Sequence, residues 1–338
     1  MTKMLAAEQV ERGRTLLGRV RDGCNSVLLG QEDLVDLTVI ALCARGHLLL
    51  EGLPGLGKTE LVKGLGRLLG LRFRRVQFTP DLLPGDITGG PILQERAGER
   101  AFVFQPGPLF ANVVLADEIN RASPKTQSAL LEAMQERCVT VLGETHELPL
   151  PFFVLATQNP IELEGTYPLP EAQLDRFLFK VEVPGVSAEV MTRILGERRR
   201  GQAPRLEVAL SGSELGELFD LVDAVFLPRA VASYIARLVA SSHPDCATAP
   251  PIVSAAVRYG ASPRAAIAIG EAARAAALIA GRPNVDFADV ARVVRPALVH
   301  RLVLQHAAIV SGTTAGAVVE ALLEGVPEVD KPLSEAVT

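Results

Sequence analysis

One eight-residue segment constrains the fold of this chain more than any other feature. Residues 52–59 read Gly-Leu-Pro-Gly-Leu-Gly-Lys-Thr, the pattern of a loop that wraps around a phosphate group. The glycines let successive backbone N–H groups point at the phosphate, and the lysine reaches its outer oxygens. Such a loop works between a strand and a helix, and an apolar run and a helical pattern flank it here. This placement disfavours the alternative, an ordinary glycine-rich turn.

The chain from His47 to Pro184 alternates short apolar runs with helical patterns. This alternation is typical of an open, mainly parallel α/β sheet covered by helices. Each predicted core strand is short and bounded by Gly, Pro or charge, as buried parallel strands are. The predicted strands are His47–Glu51, Arg74–Thr79, Val113–Asp117, Phe152–Thr157 and Leu178–Val183.

Two hairpins are predicted between these elements, with simple surface hairpins as the alternative to a functional role. Turn-like residues separate two apolar runs in each case. The predicted strand pairs are Asp86–Leu93 with Arg100–Gln105, around Ala97-Gly98-Glu99, and Cys138–Leu142 with Thr145–Leu150, around Gly143-Glu144. Between the hairpins, Ser123 is a predicted N-cap and Pro124 the first residue of a helix.

After Pro184 the pattern becomes helical, and we predict no strands in this half. Residues 243–261 contain three prolines and are predicted as a loop. Apolar spacing of three and four, with Gly or Pro at the ends, marks the helices. The predicted helices are Ser213–Val225, Arg229–Ser241, Pro263–Ala280, Phe287–His300 and Ala315–Leu323.

Charge and composition exclude several classes of protein. With 34 basic and 39 acidic residues, the net charge of −5 gives no field that draws the chain to nucleic acid or an anionic membrane. The arginines at 198–200 are predicted to form a solvated helix end or linker rather than a nucleic-acid contact. No apolar run approaches the ~20 residues of a membrane span. The first 24 residues carry too many charges for a signal-peptide core, so a cytoplasmic protein is predicted.

An apolar strand that ends in two acids supplies the second candidate group. Asp117 and Glu118 follow this strand, and the carboxyl edge of such a sheet is where ligands bind. Asp117 suits a Mg²⁺ site, and Glu118 suits orienting and deprotonating an attacking water. Asn159 follows another strand and suits holding that water against a γ-phosphate. The alternatives are a solvent-facing acid pair and an Asx turn before Pro160.

Four sequence strings together resemble the MoxR family of AAA+ ATPases, over about residues 25–325. They are Asp117–Ala122, Ala156–Pro160, Gly165–Phe177 and Ser262–Arg264. The resemblance implies an AAA+ αβα P-loop module with a five-stranded parallel sheet in the order 5-1-4-3-2, followed by an α-helical lid. It also implies a homo-oligomeric ring, usually hexameric, with nucleotide between neighbouring subunits.

The resemblance and the pattern together define the expected domains. They are residues 1–24 as an N-terminal helix, 25–184 as the nucleotide-binding domain with two inserted hairpins, 185–210 as a linker, 211–325 as the lid and 326–338 as a frayed tail.

The resemblance also assigns roles around ATP and Mg²⁺. Thr59 and Asp117 would contact the metal, and Glu118 would act on the water. Asn159 matches the first sensor and Arg264 the lid's sensor arginine, which Ser262 and Pro263 would place in the first turn of a helix. The residues expected to contact nucleotide are Gln31, Gly52, Pro54, Gly55, Leu56, Gly57, Lys58, Thr59 and Glu60.

Two of the implied roles have local alternatives. Arg176 matches the arginine finger that reaches a neighbour's nucleotide, and the alternative is an ion pair with Asp175 or Glu171 on its own surface. Gln31 matches a segment that packs near adenine, where an ordinary tight turn at Gly30 is the other interpretation.

The leading functional hypothesis is an ATP-driven chaperone that assembles, activates or metal-loads client protein complexes. A von Willebrand factor A domain partner is implied by the resemblance only. One alternative is a DNA-stimulated motor or loader, which the acidic balance disfavours. Another is a nucleotide-gated scaffold without productive turnover, which the presence of Glu118 disfavours. Few aromatic residues occupy the hairpins, which argues against threading of a polypeptide.

Overall fold

The computed structural model describes residues 4–52, 57–96, 99–159, 165–198, 204 and 206–329. The chain divides into two compact units, one of Leu16–Leu218 and one of Phe219–Thr338 with Met1–Thr15. Within the described ranges, no helix combines the length and the apolar character that crossing a membrane requires.

The described elements alternate between helices and short strands. The helices are α1 (Ala7–Val27), α2 (Glu32–Cys43), α3 (Lys58–Leu68), α4 (Pro84–Thr88), α5 (Pro124–Glu136), α6 (Glu171–Leu174), α7 (Ala188–Glu197), α8 (Gly212–Asp223), α9 (Arg229–Ala240), α10 (Pro251–Ala256), α11 (Pro263–Ile279), α12 (Phe287–Leu298), α13 (His306–Val310) and α14 (Ala315–Gly325). The strands are β1 (Leu48–Glu51), β2 (Phe73–Gln77), β3 (Gly89–Arg96), β4 (Glu99–Pro106), β5 (Val113–Asp117), β6 (Cys138–Val141), β7 (Glu144–Glu147), β8 (Phe153–Gln158), β9 (Phe179–Glu182), β10 (Val257–Tyr259) and β11 (Val303–Leu304).

A five-stranded parallel sheet organises the unit Leu16–Leu218. Its order is β2-β5-β8-β1-β9, which in terms of the five core strands is 2-3-4-1-5 and confirms the predicted order. The pairing places Gln77 opposite Asp117 and Glu51 opposite Gln158, so polar strand ends meet at one edge. The observed strands begin or end within two residues of the predicted ones.

The helix α5 shows how the sequence anchors elements to this sheet. The Ser123 side chain accepts a hydrogen bond from the backbone of Thr126, and Pro124 is the first helical residue, as predicted. Three apolar residues of this helix are buried in one core cluster with residues of β5 and β8. They are Leu130, Leu131 and Met134.

Both predicted hairpins are present, with different bounds. Residues 86–88 belong to the helix α4 rather than to the first hairpin, because Pro84 begins a helix there. The first turn was predicted at Ala97-Gly98-Glu99; residues 97 and 98 lie outside the described residues, and Glu99 begins β4. The second turn falls on Leu142 and Gly143, both at positive φ, whereas Glu144 already belongs to β7. Two positive φ values match the strand twist of a tight hairpin.

The unit of Phe219–Thr338 with Met1–Thr15 is mainly helical, but the prediction that it lacks strands is wrong. The strands β10 and β11 pair antiparallel, with Val257 opposite Leu304. Residues 243–261, predicted as a loop, contain α10 and β10. Proline at the first helical position allows α10 to begin. The unit's other helices lie close to the predicted bounds, and α13 was not predicted.

Several predicted boundaries also differ from the structure. The segment 185–210, predicted as a linker, contains α7, whose N-cap Ser187 accepts a hydrogen bond from the backbone of Val190. The N-terminal helix runs to Val27 rather than ending at residue 24. Val326, placed in the predicted tail, is buried and caps α14, and the tail from residue 330 onward lies outside the described residues.

Candidate functional site

The carboxyl ends of β1, β5 and β8 border a cleft of about 330 Å³. Parallel strands place their carboxyl ends on one edge, which is where ligands of such sheets bind. The predicted site residues that line it are Gly52, Gly57, Lys58, Thr59, Glu60, Asp117, Glu118 and Asn159. The sheet therefore brings together residues from three separate predicted motifs.

The described ends of the glycine-rich segment lie at the floor of this cleft, and residues 53–56, which include Pro54, Gly55 and Leu56, lie outside the described residues. Gly57 precedes α3 with φ +80°, a left-handed conformation that favours glycine. At Gly52 a Cβ would lie 3.0 Å from the carbonyl oxygen of Val183, so backbone packing leaves little room for a side chain. Local geometry therefore favours glycine at both positions, through the backbone conformation at Gly57 and through packing at Gly52.

Lys58 is a buried cation at the start of α3. Its Nζ donates a hydrogen bond to the carbonyl oxygen of Gly52 at 2.8 Å. Burial lowers the pKa of this ammonium below its ordinary value, and the negative charges of Asp117 and Glu118 oppose the shift. An ammonium held in this way is placed to bind an anion in the cleft.

Asp117 ends β5, and both of its carboxylate oxygens accept hydrogen bonds. The Thr157 hydroxyl donates to Oδ1 at 2.6 Å. The Arg75 guanidinium donates to Oδ2 through Nη2 at 2.6 Å and through Nε at 3.1 Å. Charge-assisted bonds of this kind fix the orientation of a carboxylate.

Glu118 follows in the left-handed conformation, with φ 57° and ψ 49°. Its backbone N–H donates to the Thr157 hydroxyl at 2.9 Å. Its carboxylate Oε2 accepts from Gln77 at 2.7 Å and from Arg121 at 2.9 Å. A non-glycine residue at positive φ is uncommon and concentrates at functional sites. The turn therefore directs the two neighbouring acids to different partners.

Asn159 lies at the end of β8, in the lining of the same cleft. Its carbonyl oxygen accepts a hydrogen bond from the side chain of Asn120 at 3.4 Å. The preceding Gln158 donates to Glu51 at 2.7 Å, and Lys180 lies 2.8 Å from the other oxygen of that carboxylate. These links tie the end of β8 to β1 and β9.

The cleft fits both a nucleoside triphosphate and a magnesium ion. The hydroxyl of Thr59 and the carboxylate of Asp117 line it, and oxygen ligands are those that Mg²⁺ prefers. The buried ammonium of Lys58 and the helix N-terminus that it begins suit phosphate oxygens. Glu60, also in the lining, lies 3.5 Å from Lys63 in an ion pair.

Gln31 is not part of the cleft lining. It is buried as the N-cap of α2, and among the described residues its Oε1 has no hydrogen-bond partner. The preceding Leu28 approaches Gly57, since a Cβ there would lie 2.6 Å from its Cδ1. An unpaired buried amide oxygen can accept a hydrogen bond from a ligand amine.

Arg176 follows α6 and lines a second cavity of about 420 Å³. Its Nη1 donates to the carbonyl oxygen of Leu131 at 2.8 Å, and its buried Nε has no hydrogen-bond partner among the residues described. Gln173 and Glu132 line the same cavity. The predicted alternative was an ion pair with Asp175 or Glu171, whereas the described bond goes to a backbone carbonyl.

Arg264 lies exposed in the first turn of α11, in the other compact unit. Pro263 is the first helical residue, as predicted. Ser262 is the N-cap, but its side chain makes no capping hydrogen bond to the helix, which corrects the predicted cap. The proposed contact between Arg264 and a nucleotide stays a prediction.

Sequence reasoning missed three side chains that hold the acids. Arg75 and Gln77 were assigned only to a strand, and Thr157 only to the end of another. Their role depends on strand register, because β2 pairs with β5 so that Gln77 lies opposite Asp117. Polar residues at the carboxyl ends of strands next to the Asp-Glu strand are the signal that would have found them.

Comparison with known proteins agrees with this geometry. Residues 47–179 match the model of the ATPase family associated with various cellular activities, and residues 250–322 match the AAA lid domain. Chaperone MoxR1 of Mycobacterium tuberculosis is 44% identical over 300 residues, 89% of this chain and 79% of that protein. Protein MoxR of Paracoccus denitrificans is 32% identical over 312 residues, 84% of this chain and 87% of that protein.

A solved structure is also similar. The crystal structure of a putative ATPase from Cytophaga hutchinsonii superposes with a TM-score of 0.88 at 36% identity, covering 96% of this chain and 98% of that one. The relatives align over most of their length, and the matched models are an AAA ATPase domain and its lid. The chain therefore belongs to the MoxR family of AAA+ ATPases.

Proposed function

We propose that the protein binds ATP with Mg²⁺ in the cleft at the carboxyl edge of the sheet and hydrolyses it to ADP and phosphate. The observation that supports this most is the convergence of Lys58, Thr59, Asp117, Glu118 and Asn159 on one cleft. A buried cation, a hydroxyl, two acids and an amide are the groups that phosphoryl transfer to water requires.

Each residue has a separate task in this proposal. Lys58 and the backbone around Gly57 hold the outer phosphate oxygens. Thr59 and Asp117 hold the magnesium ion, which neutralises phosphate charge when bound. Glu118 accepts a proton from the attacking water, and Asn159 orients that water against the γ-phosphate.

The adenine end of the nucleotide is proposed to lie against the segment at Gln31. Its buried Oε1 lacks a hydrogen-bond partner within the described ranges, and an adenine amino group would supply one. Leu28, close to Gly57, brings this segment beside the phosphate loop. Arg264 is proposed to contribute a second cation from the lid.

We further propose that the active form is a homo-oligomeric ring, hexameric as is typical of the family. Arg176 then contacts the nucleotide of a neighbouring subunit. Within the part of the chain that the structure describes, its buried Nε lacks a hydrogen-bond partner, which supports a role that one chain alone does not complete. An arginine supplied from a neighbour stabilises the negative charge that develops during phosphoryl transfer.

Two substitutions test the proposed hydrolysis. Lys58→Ala removes the phosphate-binding ammonium, so nucleotide affinity should fall at least about tenfold. Glu118→Gln keeps the shape and removes the base, so binding should persist while phosphate release falls by about 10² or more. Binding of a fluorescent ATP analogue and release of phosphate are measured on both variants. Equal loss of binding in the two would contradict the assigned roles.

The output of the cycle is proposed to be the assembly, activation or metal loading of a client protein complex, with a von Willebrand factor A domain partner. Membership in a family that includes a relative named Chaperone MoxR1 supports this. The Glu118→Gln variant, loaded with ATP, should retain a client and such a partner when purified from native cytoplasmic extract. Recovery of neither, or stimulation of the ATPase by duplex DNA instead, would overturn the proposal.

A further inference from the structure

The strand β2 places an arginine directly on the acid that ends β5. β2 is one of the two edge strands of the sheet, and Arg75 lies on it with 47% of its side chain exposed, whereas the Asp117 side chain is 16% exposed. Two guanidinium nitrogens, Nη2 and Nε, donate to the same carboxylate oxygen, Oδ2. The ion pair therefore has a defined geometry, with a mostly buried carboxylate and a half-exposed guanidinium.

The neighbouring Arg74 does not share this environment. Successive side chains of a strand point to opposite faces, so Arg74 and Arg75 diverge. Arg74 lines a different cavity, together with Arg72, Phe110 and Glu147. The two arginines therefore carry the same charge close to the sheet edge, but one contacts Asp117 and the other does not.

The contact at Oδ2 competes with the proposed role of Asp117. Thr157 already donates to Oδ1 and Arg75 to Oδ2, so both oxygens are engaged in this structure. A divalent cation that approaches Oδ2 meets the positive guanidinium at close range, and like charges repel at such distances. A metal ion and Arg75 cannot both make their best contact with that oxygen.

The guanidinium of Arg75 also has a second hydrogen-bond acceptor. The same Nη2 donates to Oε1 of Gln77 at 2.7 Å, and the amide of Gln77 donates in turn to Glu118 at 2.7 Å. Arg75 can therefore leave Asp117 and keep a hydrogen bond within the cleft. Its departure costs less than the loss of an isolated ion pair would.

We propose that Arg75 is a built-in counter-ion of the metal-binding carboxylate: it occupies Asp117 while metal is absent, and Mg²⁺ displaces it. The inference rests on the proposed function, because it takes Asp117 as a metal residue. Arg75 is then a positioning residue that weakens metal binding and keeps Asp117 paired in the metal-free state. Metal loading and release of Arg75 become one event.

The test compares nucleotide binding with and without metal on the full chain. The affinity for a fluorescent ADP analogue is measured in excess Mg²⁺ and again in EDTA, and the ratio of the two dissociation constants gives the contribution of the metal. In Arg75→Gln this ratio should rise about threefold to tenfold over the unmodified protein, since the competing cation is gone. In Arg74→Gln, which loses the same charge without the contact, the ratio should stay within about twofold.

Arg75→Lys provides a second variant with the charge retained. A lysine makes one point contact in place of the two-nitrogen contact. The ratio of dissociation constants in Arg75→Lys should therefore lie between those of the unmodified protein and Arg75→Gln. An unchanged or reduced ratio in Arg75→Gln, or an equal rise in Arg74→Gln, would overturn the inference. Failure of the unmodified protein to bind the analogue, or to bind it more tightly with Mg²⁺, would instead refute the proposed function.

Discussion

His47 makes the stability of the folded protein depend on pH. It precedes β1 and is buried, with its Nε2 donating to the carbonyl oxygen of Met134 at 3.1 Å. Its Nδ1 accepts from the backbone N–H of Val154 at 3.1 Å. A proton on Nδ1 would place two donors against each other. Burial, with a smaller contribution from the charge of Arg137, lowers the pKa of this imidazole from 6.5 to about 4.

The size of the pH effect on the free energy of unfolding follows from the lowered pKa of His47. Near pH 5 the unfolded chain binds almost a full proton at this site, while the folded chain binds about a tenth of one. Integrating from near pH 7.5 gives a loss of about 2 kcal/mol in the free energy of unfolding, at about 1.36 kcal/mol per unit. The stability is fully present above pH 6.5 and is lost as the pH falls towards about 4.

Urea unfolding followed by circular dichroism, at about pH 7.5 and about pH 5, measures this dependence. The free energy of unfolding differs between the two pH values, and in His47→Gln this difference should be about 2 kcal/mol smaller than in the unmodified protein. The same substitution at His306, which is exposed, provides the control and should leave the difference unchanged. A His47→Gln variant that keeps the full pH dependence would refute the reasoning.

Two further predictions concern the site. Arg176→Ala should leave ATP binding intact and lower the phosphate release of the assembled protein by about tenfold or more, and an unchanged rate in the assembled variant would remove Arg176 from the site. Thr157→Val removes the hydroxyl that bonds Asp117 and the backbone of Glu118, which should cost about 1–3 kcal/mol of stability and reduce phosphate release. Thr157→Ser keeps the hydroxyl and should retain most of the stability and most of the phosphate release. Equal defects in Thr157→Val and Thr157→Ser would contradict this role of the hydroxyl.

The sheet was predictable because each core strand carries its own signal. Five short apolar runs, separated by helical patterns, define the strands, and the family resemblance supplies their order. The site residues Lys58, Asp117 and Asn159 follow from the same pattern, since each stands at a strand end or a helix start. Their convergence on one cleft needs only the rule that parallel strands share a carboxyl edge.

The elements that were missed depend on tertiary contacts. β10 and β11 have three and two residues, too few to show a period of two. The segment that contains α7 was predicted as a linker because Arg193–Arg205 are charged and contain Gly and Pro, and α7 has no buried residue. Arg75 was read as a strand residue, and its role appears only when β2 and β5 are paired. The local sequence pattern does not show which strands pair or which side chains meet across them.

A structure of the Glu118→Gln variant with ATP and Mg²⁺ tests the central claim most directly. The account predicts a triphosphate at the start of α3, with its outer phosphate beside Lys58 and a metal ion between Thr59 and Asp117. Density for the nucleotide elsewhere, or an empty cleft at the carboxyl edge of the sheet with nucleotide in excess, would contradict it.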